Sequence, residues 1–168
     1  MKLLVVVDMQ VDFINGALGS SAAEAIVPLV AQKVRGFDGR VIFTRDTHFE
    51  DYMQTQEGKK LPVPHCIKDT DGWQICSELA PFVRTVVDKI TFGSEALPQL
   101  IKDMGEPLEE IELCGLCTDI CVISNAMILK AAFPEVTIKV DSACCAGVTA
   151  ESHNTALDAM KAVQIEII

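Results

Sequence analysis

Short β-rich runs alternate with longer stretches of helical periodicity along this chain, and that rhythm restricts the fold more than any other feature of the sequence. Neighbouring parallel strands need a long crossover between them, so the alternation points to an α/β protein whose parallel sheet is covered on both faces. The predicted strands are Leu3–Val7, Arg40–Thr44, Thr85–Asp88, Glu110–Cys114, Val136–Val140 and Gln164–Ile167. Between them the spacing predicts helices over Ala22–Val34, Glu95–Met104, Asp119–Ala132 and Glu151–Lys161, with a short helical turn near Trp73–Leu79. Ser94 and Thr118 stand where they can cap the helices that follow them.

One stretch breaks the rhythm. Asp46 to Asp71 is polar, holds Pro62 and Pro64, and is too long for an ordinary connection, which marks it as a functional loop or a disordered one. No repeat, low-complexity tract or linker composition interrupts the chain, so the expectation is a single domain over residues 1–168.

Composition narrows the partners. With 14 basic and 24 acidic residues the net charge is −10, and no Lys/Arg cluster offers the footprint that nucleic-acid or anionic-membrane binding requires. The apolar run at Leu3–Val7 is too short for a signal-peptide core and ends in Asp8. A hydrophobic fraction of 49% implies a heavily buried interior and enough apolar surface to expect a homo-oligomer. Seven irregularly spaced cysteines argue against a disulfide framework and for free thiols in a reducing, cytoplasmic setting.

Open parallel sheets bind ligands where the carboxyl ends of the strands run into loops. Asp8 follows the first predicted strand, Asp46 and His48 the second, Lys89 the third, and Cys117 and Cys121 the fourth. Cys121 falls near the start of a predicted helix, where the dipole and free N–H groups favour a thiolate. Asp8 could take the thiol proton and return it to a leaving amine, with Lys89 holding both anions and lowering their pKa values. The N–H groups around Cys117 to Cys121 could receive a developing oxyanion.

A second cluster lies in the long loop. Asp46 and His48 are two apart beyond a strand, His65 follows in the same loop, and Glu57 between them could be a fourth donor, through oxygen. Such a mixed N/O set suits zinc, manganese or iron. Each residue alone has a commoner structural explanation: a free cysteine is usually core, an Asp after a strand a turn former, a Lys solvated, a loop His a surface group. Their joint placement is what raises them. Cys114 and Cys117 have Cys-x-x-Cys spacing but no second pair, which argues against structural zinc, and Cys144–Cys145 reads as packing. Gly16 and Gly19 lack any phosphate-loop pattern and read as turn formers.

These residues resemble the nicotinamidase and isochorismatase-like cysteine hydrolases along nearly the whole chain. Val5-Val6-Val7-Asp8-Met9-Gln10-Val11-Asp12-Phe13 looks like that family's first strand and base; Thr44-Arg45-Asp46-Thr47-His48 with Pro64-His65 is similar to its metal segment; Asp88-Lys89 with Phe92-Gly93-Ser94 resembles its lysine strand. Most specific is Gly115-Leu116-Cys117-Thr118-Asp119-Ile120-Cys121-Val122, similar to the signature Gly-x-x-Thr-Asp-x-Cys-Val, and Asp141 to Ala146 with His153 fits the closing segment, where the histidine is structural.

The resemblance implies a three-layer α/β/α fold with a six-stranded parallel sheet ordered 3-2-1-4-5-6. It implies a cis peptide between Leu116 and Cys117 that aims the Cys117 N–H into the oxyanion hole, and a Cys121–Asp8–Lys89 triad acting through a thioester. A divalent metal, zinc first, would take a substrate ring nitrogen, and Phe13 would pack on that ring. Two departures stand out: Cys117 replaces the usual Ala, and Leu61 to Pro64 offers no second aromatic wall. Cys117, four residues from the nucleophile, reads first as core or oxyanion-loop packing, and the sharper alternative is that it could trap an oxidised Cys121 as a disulfide. The expected reaction is hydrolysis of a small carboxamide, nicotinamide first; the alternatives are another small amide, carbamoyl or ureido compound, or a catalytically silent binding module. Isochorismatases proper lack the cysteine and cleave a vinyl ether, which Cys121 speaks against.

Overall fold

Residues 1–168 are described by the computed structural model. Six strands form one parallel sheet in the order 3-2-1-4-5-6: β1 (Lys2–Val7), β2 (Arg40–Asp46), β3 (Val86–Lys89), β4 (Glu110–Leu116), β5 (Thr137–Ala146) and β6 (Glu166–Ile167). β1 lies at the centre, with Val5 opposite Ile42 of β2 and Leu113 of β4. Its five residues Leu3–Val7 are fully buried. A strand covered on both faces has no polar side to present, which is why it reads as an unbroken apolar run. Each such side chain contributes roughly 1.5–3 kcal/mol by leaving water.

The helices are α1 (Val11–Ile14), α2 (Ser21–Gly36), α3 (Gln56–Lys60), α4 (Ala96–Asp103), α5 (Ile123–Ala132) and α6 (Ala150–Ala162). Parallel crossovers are right-handed, so the direction of travel along the sheet decides which face a helix covers. The β1-to-β2 connection moves one way and places α2 on one face; the connections through α4, α5 and α6 move the other way and fill the opposite face. Ser20 caps α2 by accepting from the Ala23 N–H, and Thr149 and Ser152 form a reciprocal capping box at α6.

The structure departs from the sequence reading at several local points. The helical turn expected near Trp73–Leu79 is split: 3₁₀ turns lie at Asp71–Trp73 and Ala80–Phe82, and between them the Leu79 and Ala80 N–H groups both donate to the Cys76 carbonyl at 3.0 Å. Thr118 is not a cap, because its hydroxyl pairs with His153 Nδ1 at 2.7 Å and the chain enters a π-helical turn over Thr118–Val122 before α5. β5 runs six residues past its predicted end, since the Asp141 carboxylate accepts from the Ala143 and Cys144 N–H groups and bulges the strand before it rejoins β4 at Cys145. β6 pairs only through Glu166 and Ile167, after Gln164 turns with φ of 66°. The long loop contains α3 and a 3₁₀ turn at Tyr52–Gln54. No helix is long and apolar enough to cross a membrane, and none of the seven cysteines is disulfide-bonded.

Candidate active site

The strand order reverses at β1 and β4, and the chains leaving their carboxyl ends diverge to open a crevice. Gly115 keeps the two strands close there: a β-carbon at this position would run into the Val7 carbonyl, and its φ of 117° suits only glycine. Asp8 leaves β1 in a left-handed conformation, φ 47°. Its N–H donates to the Thr44 carbonyl and Oγ1, both at 3.2 Å, and the Thr44 hydroxyl donates back to Asp8 Oδ1 at 2.6 Å. The carboxylate is thereby aimed along the sheet edge and wholly buried.

Lys89 ends β3, two strands away, and its long side chain bridges the gap. The ammonium lies 2.6 Å from Asp8 Oδ2, 3.2 Å from Asp46 Oδ1 and 3.5 Å from Cys121 Sγ, and donates to the Thr91 carbonyl at 3.1 Å. The Asp8 contact is an ion pair outside hydrogen-bond alignment, so Oδ2 is buried without an aligned donor. Cys121 sits in the π-helical turn, and Asn125, one turn on, holds it by donating to the Cys121 carbonyl at 2.8 Å and to the Phe92 carbonyl at 3.2 Å. The Leu116–Cys117 peptide is cis.

The electrostatics differ from the sequence expectation. Burial pushes the Asp8 carboxyl above its ordinary range despite the Lys89 charge. Burial and then the Asp8 charge likewise raise the Cys121 thiol well above an ordinary cysteine, outweighing Lys89. A helix start and a neighbouring cation were expected to lower both values, but desolvation wins because neither group reaches water. Both groups therefore hold their protons more tightly in this buried site than they would in water.

Next to this triad four donors converge: Asp46, His48, Glu57 and His65 offer ligand atoms within 4.8 Å of one another. His48 Nε2 is 2.9 Å from Asp46 Oδ2 and 3.5 Å from Glu57 Oε1; His65 Nε2 is 3.7 Å and 3.8 Å from the same two oxygens. His65 Nδ1 donates to the Val63 carbonyl at 2.8 Å, which fixes the tautomer that turns Nε2 inward. Two imidazoles and two carboxylates at this spacing fit a four-coordinate divalent ion. Burial pushes Asp46 up, but His48, His65 and Lys89 outweigh it and hold its carboxyl below the usual range; burial leaves Glu57 raised. Burial pulls the His65 imidazole down, yet Asp46 and the Val63 carbonyl raise it overall.

Both groups open into one cavity of about 280 Å³, floored by Asp46, His65, Cys117 and Cys121 and walled by Phe13, Leu61, Phe92 and Ile120. The Phe13 ring centroid lies 5.4 Å from that of His65. Leu61 to Pro64 brings no aromatic ring, but Phe92 supplies one from beyond β3. Of the site residues expected from the sequence, Phe13, Asp46, Glu57, His65, Cys117 and Cys121 line this cavity, and Asp8, His48 and Lys89 stand behind it, His48 against Asp46 and Asp8 against Lys89, which reaches Cys121.

Sequence reasoning missed the residues that hold them. Gln10 is fully buried; its side chain donates to the Asp46 carbonyl at 2.8 Å and the Trp73 carbonyl at 2.9 Å and accepts from the Asp46 N–H at 2.7 Å. Tyr52 packs against both imidazoles and donates to the Leu61 carbonyl at 2.8 Å. The available signal was a polar residue on an otherwise apolar face, as at Thr44 and Asn125.

The isochorismatase domain matches residues 2–168. The chain belongs to the isochorismatase family. Within and around that family, it is 25% identical to the nicotinamidase/pyrazinamidase of Mycobacterium tuberculosis, covering 100% of this chain and 98% of that protein. The pyrazinamidase/nicotinamidase of Streptococcus mutans superposes with a TM-score of 0.85 at 27% identity, over 100% of both chains. The pyrazinamidase of Pyrococcus horikoshii, a complex with zinc, gives a TM-score of 0.85 at 24% identity over 99% of this chain and 98% of the other.

Proposed function

We infer that this chain is an amidohydrolase that cleaves a small carboxamide, nicotinamide first, to the carboxylate and ammonia, within one domain spanning residues 1–168. The observation that carries the reading is the position of Lys89, whose ammonium lies within 3.5 Å of Asp8, Asp46 and Cys121 and so joins the thiol, the base and the metal donors in one cavity. The relatives named nicotinamidase support the substrate class.

As the Cys121 sulfur attacks the amide carbonyl, its proton passes to Asp8, which burial makes a stronger base than an ordinary carboxylate. The backbone N–H groups of Cys117 and Cys121 receive the oxyanion. The carbon–nitrogen bond then breaks, ammonia leaves with the proton from Asp8, and a thioester remains on Cys121. Asp8 next takes a proton from water, the hydroxide adds to the thioester, and the carboxylate departs as the thiol is re-formed. Lys89 holds Asp8 beside the sulfur and stabilises negative charge through both steps. Asp46, His48, Glu57 and His65 would hold a divalent ion, zinc first, which when bound would supply a Lewis acid for a ring nitrogen. Phe13 and Phe92 pack against the ring, and the apolar wall excludes bulk water.

The acidic, membrane-helix-free chain fits a cytoplasmic enzyme of small molecules. Exposed Ile90 and Val148 supply apolar surface for a homo-oligomer. Ammonia release measured across nicotinamide, pyrazinamide and carbamoyl and ureido compounds tests the reading. The aromatic walls predict that the heteroaromatic amides dominate; preference for a ureido substrate would overturn nicotinamide, and no turnover of any amide would leave a binding module.

A further inference from the structure

We propose that Asp12 is a positioning residue that sets both imidazoles of the donor cluster in place through the backbone of Cys66; this rests on the reading of Asp46, His48, Glu57 and His65 as a metal site. Asp12 lies in α1, one residue before Phe13 and far in sequence from the loop it serves. Its Oδ2 accepts from the Cys66 N–H at 2.7 Å, and the Cys66 carbonyl accepts from the His48 N–H at 3.0 Å. Cys66, the residue after His65, thus links Asp12 through its N–H to His48 through its carbonyl.

Cys66 takes a left-handed conformation, φ 47°, which a residue with a side chain adopts only when its surroundings hold it there. A hydrogen bond to an ionised carboxylate is the stronger kind and supplies that hold. The second oxygen, Oδ1, accepts from the Ala17 N–H at 3.2 Å, tying in the segment that leads to the cavity wall at Leu18. Gly72 completes the cradle, since a methyl group there would overlap the Asp12 carboxylate. Asp12 contacts no donor atom of the cluster itself, so its effect passes through geometry alone.

The test is zinc binding to the metal-stripped full chain, by competition with a chromophoric chelator, for the parent, Asp12→Asn, Asp12→Ala and Gly72→Ala. Alongside it, the rate of iodoacetamide alkylation at Cys121, read by peptide mass spectrometry, reports the neighbouring triad without zinc. The expected order of affinity is parent, then Asn, then Ala, with Ala weaker by about 10–100-fold, as for loss of a residue that orients metal ligands. Gly72→Ala should weaken binding in the same direction, with Cys121 alkylation within about twofold throughout. Zinc affinity within twofold of the parent in both Asp12 variants overturns the proposal, as does a Cys121 rate that falls in step with affinity, the mark of general distortion. If the parent itself binds no zinc, the metal reading fails and this proposal fails with it, an outcome distinct from variants that bind as the parent does.

Discussion

Two lysines in this protein, Lys89 beside the cavity and Lys33 on α2, each stand between two carboxylates and are both raised, yet the carboxylates around them behave differently. Lys33 is paired with Glu112 and lies 2.6 Å from Asp141. These side chains keep 9–19% of their surface exposed, so water shares the surplus negative charge. Burial works against both Lys33 and Asp141, but each holds the other ionised: the ammonium is raised and the Asp141 carboxyl lowered. At Lys89 the exposures are 2% for the lysine, 0% for Asp8 and 3% for Asp46. No water relieves that site, so one buried cation faces two carboxylates and Asp8 is left raised with an unaligned oxygen beside a thiol. The same residue types make a finished structural clamp where solvent reaches them and a charge-deficient, proton-accepting site where it does not.

The sharpest way to break this contrast is to remove the thiol. Cys121→Ala should lower ammonia release by about 10⁴-fold or more while ligand binding persists; turnover at the parent rate would eliminate the mechanism. Next in size, Asp8→Asn should cost about 10²–10⁴-fold in kcat. Lys89→Met should cost at least about 10²-fold, whereas Lys33→Met should leave kcat within about twofold. Equal losses at the two lysines in a steady-state assay would erase the distinction.

Chelation followed by gel filtration should reduce kcat/KM by about 10²-fold, the scale of misplacing a substrate, without loss of the cooperative unfolding transition. Full activity in metal-free enzyme would exclude an orienting role. Smallest in chemistry but clear in stability, Lys33→Met should cost about 3 kcal/mol in urea unfolding, the low end for a clamp that water partly reaches. Its pH signature follows from the two shifts. Because the Asp141 carboxyl is lowered from 3.8 in the fold, its contribution is present above that pH and fades as pH falls through the folded value. Because Lys33 is raised from 10.5, its contribution is complete below that pH and lost only as pH climbs beyond it. The parent should therefore lose more stability than Lys33→Met as pH falls below 3.8, and parallel curves would contradict the clamp.

The same contrast shows what was legible in the sequence. The sheet and its ligand edge were, because buried strands must be apolar and parallel connections must be long; β1 and the residues after β2, β3 and β4 follow directly. The supports were not. Gln10, Asp12, Thr44, Tyr52 and Asn125 gain their roles from partners 30 or more residues away or from one backbone carbonyl, and no periodicity encodes such pairings. The π-helical turn at Thr118–Val122 looks like ordinary helix in sequence, since only the Thr118–His153 hydrogen bond removes the cap that an α-helical start would use. The direction of the Cys121 and Asp8 shifts was also out of reach, because it depends on how completely water is excluded rather than on which charges are near.

Nucleophilic attack by Cys121 is most directly tested by acid-quenching the enzyme within its first turnover of nicotinamide and mapping the peptide that carries this residue. The account predicts a nicotinoyl thioester on Cys121 that decays as nicotinate appears. Nicotinate forming in the same interval with that peptide unmodified, and at an undiminished rate in Cys121→Ser, would contradict it.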